Sequence, residues 1–385
     1  MRLAEEGSGI SCGSNRPGER TAKAANAAKS ETDDEAVTSG CTGWAFRYRF
    51  IATSDPVVGI PIFSVFYRSQ NKYNMKNGEN MKELSEEKKQ SSIEQRASRT
   101  AMMAAIHRFM ASKEENPNFQ GPDDLAKLFL PPKAKFFLSF SFIRRSIRKK
   151  LHKKVPGTYE YVTARTKHFD NLFKHALEEN IPQIIFLGAG YDTRAIRFKD
   201  SIQRTNIFEL DAPTTQQHKK ELLQKHNISI PLQVSFVPIN FSKENMDDVL
   251  SKGVYDTSQK CFFIWEGVTM YLPEEAIKET LAFIKNNSGR GSTVAFDYFC
   301  KSFVEGKCDY YGAKELFESV SKTGEPYQFG IEEGKIESFL SENGFDVLSH
   351  YTPDEFEKTY LYDDNGEYFG KMYGFACHVY AGVEP

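Results

Sequence analysis

The chain has few of the features that mark a metal-binding or extracellular protein. Its 385 residues include six cysteines, and no two of them form a Cys-x-x-Cys pair. The eight histidines provide no His-Glu-x-x-His segment. Zinc sites are usually built from pairs at such spacings, so we predict no metal site. Free thiols in a reducing cytosol are the simpler expectation.

Long apolar runs and a dominant charge are also lacking. The first ten residues, MRLAEEGSGI, have no apolar core of the kind that a secretory signal carries. The longest apolar stretches, 57–66 and 134–143, are about half of a bilayer span. The net charge of −2 gives no indication of a nucleic-acid partner. We therefore expect a cytoplasmic protein with no membrane span and no bound nucleic acid.

Composition divides the chain into three parts. Residues 1–90 are predicted to be a disordered or poorly ordered extension, because the first forty are rich in small and charged residues. In residues 91–180, apolar side chains recur at helical spacing, and residues 134–154 are predicted to form one basic helix. Residues 181–385 alternate between strand and helix patterns, with an insertion near 300–330. The predicted strands are 184–189, 206–211, 233–239, 260–266, 292–298, 345–351 and 376–381. This alternation predicts an α/β fold with a mostly parallel, seven-stranded sheet and an antiparallel edge strand.

A glycine turn follows the first strand of the α/β part, in the segment IIFLGAGYDTRAIRF (184–198). Gly188 and Gly190 allow a sharp turn that a dinucleotide, a flavin or an S-adenosyl compound could approach closely. A dinucleotide site would prefer a third glycine where Thr193 stands, and Asp192 would repel a pyrophosphate. About twenty residues further on, Asp211 ends the second strand, where a ribose expects an acceptor. The pattern disfavours NAD and favours a sulfonium cofactor.

Four segments in order carry a family resemblance: ASRTAMMAAIHR, PGTYEYVTARTKHFD, QIIFLGAGYDTRAIRF with IFELDAP, and FIWEGVTMYLPEEA. Together they resemble the leucine carboxyl methyltransferase-like family of class I S-adenosylmethionine-dependent methyltransferases, and in particular its bacterial O-methyltransferase branch. The resemblance runs from about Arg96 to the C-terminus. It implies a Rossmann-like core over 181–385 with a helical lid over 91–180, and S-adenosylmethionine as the cofactor.

The residues that we assign to the cofactor on these grounds are Arg99, Arg165, Gly188, Ala189, Gly190, Asp192, Glu209, Asp211, Asn240, Phe241 and Glu266. The resemblance implies that Arg165, and Arg99 with it, would bind the cofactor carboxylate, which suits a guanidinium. Asp211 would hold the ribose, and Glu266 would lie near the amino group. Asn240 stands where the family usually has an aspartate facing the adenine, with Phe241 beside it.

Several of these side chains also have simpler interpretations. Arg165 could pair with Asp170 on its own helix, and Asp192 with Arg194 could form an ion pair that only stiffens the turn. Tyr271 could orient the substrate or be an ordinary core residue, and we favour the core residue. The basic run RRSIRKKLHKK (144–154) is interpreted as a solvated face of the lid, in preference to a surface for a membrane or an anionic partner.

The predicted function is methyl transfer to a carboxyl or hydroxyl oxygen of a small metabolite. A carboxylate needs no base at neutral pH, whereas a hydroxyl does, and no residue is identified as catalytic. The alternatives are methylation of a protein C-terminal leucine carboxylate, a nicotinamide oxidoreductase, and a cofactor-binding protein without catalysis. We expect the N-terminal helices and the insertion near 300–330 to select the acceptor.

Overall fold

The computed structural model describes residues 99–241, 244–321 and 327–384, so the predicted extension over 1–90 lies outside the described residues. A seven-stranded sheet runs through the molecule in the order β3-β2-β1-β4-β5-β7-β6. Its strands are β1 Gln183–Leu187, β2 Asn206–Asp211, β3 Val234–Pro238, β4 Cys261–Trp265, β5 Thr293–Phe299, β6 Phe345–Tyr351 and β7 Ala376–Val383.

The predicted mostly parallel sheet is confirmed. Strands β1 to β5 pair in parallel, and β7 pairs antiparallel with both β5 and β6. The antiparallel strand β7 thus lies one position in from the edge, which β6 forms. The strand order reverses between β1 and β4, and ligands of open α/β sheets bind at such a reversal, beyond the carboxyl ends of the strands.

The central strands are buried on both faces, which explains their continuous apolar sequences. Every residue of β1, β4 and β5 is buried. In β1, Ile185 and Leu187 join one hydrophobic cluster, whereas Ile184 and Phe186 join the cluster on the other face. Alternate residues of the same strand therefore hold two layers of helices against the sheet.

The helices span 99–111, Pro132–Leu138, Ser141–Lys154, Thr158–Glu178, Arg194–Arg197, Pro213–Lys225, Met246–Leu250, Glu274–Asn286, Lys301–Val304, Ala313–Ser321, Ile336–Glu342 and Pro353–Tyr360. The single basic helix expected over 134–154 is two helices, because the backbone is extended at Phe140. Helix Pro353–Tyr360 was not predicted. Its signal is the capping box that Thr352 and Glu355 form at its start.

The first described helix lies against the glycine turn. Helix 99–111 contributes Ile106, Phe109 and Met110 to a hydrophobic cluster that also contains Tyr191, directly after the turn. Arg108 of the same helix donates a 2.7 Å hydrogen bond to the Tyr191 carbonyl. The helical segment before β1 is thus fixed to the end of the sheet where a ligand would bind. Among the described residues, no helix is both long and apolar enough to span a membrane.

Candidate functional site

The turn after β1 depends on its two glycines. Gly188 and Gly190 have φ values of +77° and +51°, which side chains other than glycine rarely adopt. The amides of Gly188 and Ala189 donate to the Leu210 carbonyl at 2.9 and 3.0 Å, tying the turn to the end of β2. A Cβ on Gly188 would lie 2.7 Å from a methyl of Val268, which follows β4. The turn therefore brings the backbone close to the point where the strand order reverses.

Asp211 closes this turn from the end of β2. Its carboxylate accepts hydrogen bonds from the amides of Gly190 and, at 2.6 Å, Ala212. Burial raises the pKa of Asp211, and the two amide hydrogen bonds act in the opposite direction. The structure thus places Asp211 next to the glycine turn, as the sequence predicts for a ribose acceptor.

Glu209 has a partner that the sequence analysis did not identify. Its carboxylate lies 2.5 Å from the Lys219 ammonium, and both side chains are buried. Burial raises the pKa of Glu209 to about 7, although Lys219 acts to lower it. This pairing commits one Glu209 oxygen to a lysine of the following helix, whereas Asp211 is bonded to the turn itself.

Asp192, in the turn, pairs with Arg194, which confirms the local ion pair considered above. Both side chains are buried, and the Asp192 carboxylate also accepts a 2.7 Å hydrogen bond from the Arg194 amide. Burial alone would raise the pKa of Asp192, but Arg194 and other nearby cations hold it below its usual value. Arg194 does more than stiffen the turn, since it also lies 2.8 Å from both Asp170 and Glu266.

Arg165 continues this arrangement across the ends of β4 and β5. Its Nε lies 3.1 Å from Glu266, and its Nη1 lies 3.1 Å from Asp297. Asp297 also accepts hydrogen bonds from the Tyr161 hydroxyl and from the Gly267 amide, the latter at 2.6 Å. Asp170 pairs with Arg194 and Arg197, so the expectation that it pairs with Arg165 is wrong.

These contacts form one continuous set, which we call the buried ion-pair chain. Its members are linked in the order Arg108, Asp123, Arg197, Asp170, Arg194, Glu266, Arg165 and Asp297, with Asp192 attached to Arg194. Five carboxylates face four guanidinium groups, which leaves one excess negative charge. Burial lowers the pKa of Arg165 and Arg194, but the surrounding carboxylates outweigh it and raise both. A cationic ligand would be favoured here over an anionic one.

Within the buried ion-pair chain, Arg165 has one nitrogen, Nη2, that is not used. Its Nε and Nη1 hold the two carboxylates and the Tyr161 hydroxyl, while Nη2 has no hydrogen-bond partner in the part of the chain that the structure describes. The side chain is only 11% exposed. A buried guanidinium with an unused donor is suited to a ligand carboxylate.

An apolar cavity lies beside this site. Leu187 at the end of β1, Trp265 at the end of β4, Val268 and Phe241 contribute to its walls. The Asn240 amide donates a 2.8 Å hydrogen bond to Glu244, which fixes the loop after β3 that carries Phe241. A separate cavity near the amino-terminal ends of β4 and β5 is lined by none of these residues.

Four tyrosines lie near Arg165. The ring of Tyr161 lies 5.2 Å from that of Tyr373, and the ring of Tyr271 lies 5.2 Å from that of Tyr327. Phe299 contacts both pairs. Tyr271 is 36% exposed, so its interpretation as a core residue is wrong. The sequence analysis did not single out the other three as site residues, although Tyr161 comes from the N-terminal helices and Tyr327 from the insertion near 300–330.

Arg99 stands apart from the other candidates. It is exposed at the start of helix 99–111, and no hydrogen bond or ion pair joins it to another described residue. Ala101, two residues further along this helix, would lie 3.3 Å from a Cβ placed on Gly190. The helix therefore passes over the turn, while the Arg99 side chain takes no part in the buried ion-pair chain.

The sheet order, the glycine turn after β1 and the acid that ends β2 define a class I S-adenosylmethionine-dependent methyltransferase architecture. A family model described as leucine carboxyl methyltransferase matches residues 101–285. This match covers just under half of the chain and supports the predicted family, and the chain is an S-adenosylmethionine-dependent methyltransferase. The predicted cofactor is thereby confirmed.

The chain is also similar to several named relatives and solved structures. The chain is 26% identical to YktD of Bacillus subtilis, provisionally named as an S-adenosyl-L-methionine-dependent methyltransferase, over 67% of this chain and 90% of YktD. It is 33% identical to a similarly named protein of Mycolicibacterium smegmatis, over 35% of this chain and 44% of that protein. A crystal structure of a provisionally named methyltransferase from Thermobifida fusca has a TM-score of 0.46 at 15% identity, covering 67% of this chain and 93% of that chain.

Proposed function

We propose that this methyltransferase transfers the methyl group to a carboxyl or hydroxyl oxygen of a small molecule, with a carboxylate as the favoured acceptor. The observation that carries the proposal is the tyrosine cluster, Tyr161, Tyr271, Tyr327 and Tyr373, beside Arg165 and Asp297. Aromatic walls of this kind can hold an acceptor in place and exclude water from the reacting oxygen.

The described residues fit the cofactor on several grounds. The excess negative charge of the buried ion-pair chain suits a sulfonium, and the free Nη2 of Arg165 suits the cofactor carboxylate. Asp211, held beside the glycine turn, would accept from the ribose hydroxyls. The apolar side chains next to Phe241 would pack against the adenine. Glu266 lies between Arg165 and Arg194, and its carboxylate would lie near the amino group of the cofactor.

The bound cofactor supplies a methyl group that is already activated by the positive charge on sulfur. The protein then has to hold the acceptor oxygen in line with that methyl group and keep water out. In this site, Arg165 and Asp297 are fixed by each other and by Tyr161, so they form a rigid wall for both molecules. Positioning is therefore the main contribution that these side chains make.

No described group beside Arg165 is a strong base. Burial, together with Asp297, raises the pKa of Tyr161 well above its usual value, so its hydroxyl stays protonated. Burial and the charge of Arg165 lower the pKa of His107 to about 4, which makes this neutral imidazole a weak base. A carboxylate acceptor is ionised at neutral pH without help, which is why we favour it over a hydroxyl.

Access to the tyrosine cluster favours a small acceptor over a protein terminus. Tyr161 and Tyr373 are buried, Tyr327 is half-buried, and only Tyr271 of the four is exposed. A chain terminus would need room for several residues around the reacting carboxylate, whereas a small molecule needs only the space next to Tyr271.

A methyl-transfer assay with tritium-labelled cofactor tests the proposal. The acceptors would be a panel of small carboxylic acids and phenols, together with a peptide that ends in leucine. A methyl ester releases volatile methanol in base and a methyl ether does not, so the product reports which oxygen reacted. We expect base-labile product from a small acid, with a higher acceptor KM in Tyr271→Phe and no change in the control Tyr362→Phe.

The other outcomes distinguish the alternatives. Transfer to the leucine peptide alone would overturn the small-molecule acceptor and favour the protein C-terminus. Base-stable product would keep the small acceptor but overturn the preference for a carboxylate. Cofactor binding with no transfer to any member of the panel would overturn the proposed acceptor class.

A further inference from the structure

Four phenylalanines lie together on the surface, on the two helices Pro132–Leu138 and Ser141–Lys154 and the link between them. Phe136, Phe137, Phe140 and Phe142 are 62%, 40%, 40% and 67% exposed. Their rings contact one another in series, with centroids 5.3 to 5.8 Å apart. A contiguous group of exposed aromatic side chains on a soluble domain usually marks a binding surface.

Unpaired basic side chains adjoin these rings. The sequence contains no acidic residue from 125 to 159. The exposed lysines here that form no ion pair with another described residue are Lys133, Lys149, Lys150, Lys153 and Lys154. This group differs from Arg145 and Arg148, which pair with Glu115, Glu114 and Glu160.

The rings and the charges share one face of the second helix. Ile147 and Leu151 are buried and mark its inner side. Phe142, Arg145, Lys149 and Lys153 follow one another at spacings of three and four residues, which places them along the outer side. This aromatic–basic surface therefore presents phenyl rings at one end and ammonium groups along the rest.

The surface is held in a fixed shape by contacts beneath it. Arg144 donates to the carbonyls of Leu138 and Ser139 at 2.9 Å each, which locks the link between the two helices. Arg148 binds Glu160 at 3.2 Å and the Phe369 carbonyl at 3.1 Å, which fixes the second helix to the body of the protein. The exposed rings are thus displayed by an ordered framework.

We propose that the aromatic–basic surface binds the headgroup region of a membrane that contains anionic lipids. Phenyl rings enter the boundary between headgroups and acyl chains, and lysines beside them are attracted to anionic headgroups. A second copy of the chain is a poorer occupant, because two such surfaces would bring like charges together. The basic run alone had been interpreted as a solvated face of the lid. The structure shows that exposed phenylalanines adjoin it, which is why we prefer a membrane surface.

Co-sedimentation of the full chain with vesicles tests this proposal. One set of vesicles would be phosphatidylcholine alone, and the other about three parts phosphatidylcholine to one part phosphatidylserine. We expect binding to the mixed vesicles only, weakening as salt is added. The double variant Phe136→Ser, Phe142→Ser should reduce binding at least about tenfold. The double variant Lys149→Glu, Lys153→Glu should reduce binding to the mixed vesicles to the level seen with phosphatidylcholine alone.

Matched controls use side chains of the same kind on other surfaces. Leu232→Ser with Leu348→Ser removes two exposed apolar groups, and Lys314→Glu with Lys358→Glu reverses two exposed charges. Neither pair should change vesicle binding. Absence of binding to the mixed vesicles would overturn the proposal. The surface would then be covered by another segment of this chain, by a second copy or by an acidic protein. Light scattering on the phenylalanine variant would identify a second copy.

Discussion

Replacing Arg194 by methionine should destabilise the protein by about 3–5 kcal/mol, the range for breaking a buried ion pair from one side. Arg194 is fully buried and contacts Asp170, Asp192 and Glu266. Asp170 would keep Arg197, and Glu266 would keep Arg165. Asp192 would lose its only guanidinium partner among the described residues. The expected loss thus comes mainly from one uncompensated buried carboxylate.

Urea unfolding followed by circular dichroism measures this loss. The control is Arg145→Met, which breaks an exposed pair with Glu115 and should cost at most about 1 kcal/mol. Adding Asp192→Asn to the Arg194 variant should recover a large part of the stability, because the amide carries no charge. Equal losses in the Arg194 and Arg145 variants, with no recovery in the double variant, would refute the buried ion-pair chain as a stabilising unit.

The pH dependence provides a second readout of the same group. In the wild type the pKa of Asp192 is lowered, so its contribution to stability is present above its unfolded pKa of about 3.9 and is lost as the pH falls through its lower folded value. Without Arg194, burial would raise the pKa of Asp192. The variant should therefore gain stability relative to the wild type as the pH falls from neutral toward the unfolded pKa of about 3.9.

Three further predictions address other parts of the fold. Gly188→Ala should destabilise the protein more than Gly366→Ala. Gly366 has a similar φ of +78°, but a Cβ added there meets nothing within 4 Å, whereas a Cβ on Gly188 meets Val268. The free energies of unfolding of the two variants test this close approach, and equal losses would contradict it. Burial raises the folded pKa of Glu209 to about 7, so its contribution to stability is present at low pH and is lost between about pH 4 and pH 7; Glu209→Gln should flatten this slope in urea titrations, and an unchanged slope would contradict the raised pKa. Thr352→Ala removes a capping box and should cost about 0.5–2 kcal/mol, measured by the same unfolding assay, and no loss would mean that the cap adds nothing to the helix.

The sheet could be predicted from the sequence because its strands are short, apolar runs separated by helical patterns. Both β2 and β6 have the predicted bounds, 206–211 and 345–351. The position of β7 between β5 and β6 was harder to predict, because an apolar run does not reveal which strand it pairs with. The break at Phe140 was missed for a related reason, because helical periodicity continues across it and only the backbone shows the extended residue.

The site was predictable where the chain itself brings residues together. Gly188 and Gly190 meet Asp211 because parallel neighbouring strands end at the same edge of the sheet. The Arg194–Asp192 pair could be predicted because the two residues are neighbours in sequence, whereas the contacts with Glu266 and Asp297 could not. Glu266 lies 101 residues from Arg165, and Asp297 lies 132 residues from it. Local spacing had suggested Asp170 for Arg165, and the fold instead assigns Asp170 to Arg194. Long-range ion pairs leave no periodic trace in a single sequence.

Calorimetric binding of S-adenosylmethionine is the most direct test of the proposed site. The proteins would be the wild type, Asp211→Asn, and Asp346→Asn as a matched exposed control, with NAD as the competing ligand. We expect the wild type and the Asp346 variant to bind the sulfonium compound equally and neither to bind NAD. Asp211→Asn should bind about tenfold or more weakly, because a hydrogen bond to a charged group contributes about 1.5–3 kcal/mol. Unchanged affinity in Asp211→Asn, or binding of NAD in place of S-adenosylmethionine, would contradict the assignment of the glycine turn and its acid to this cofactor.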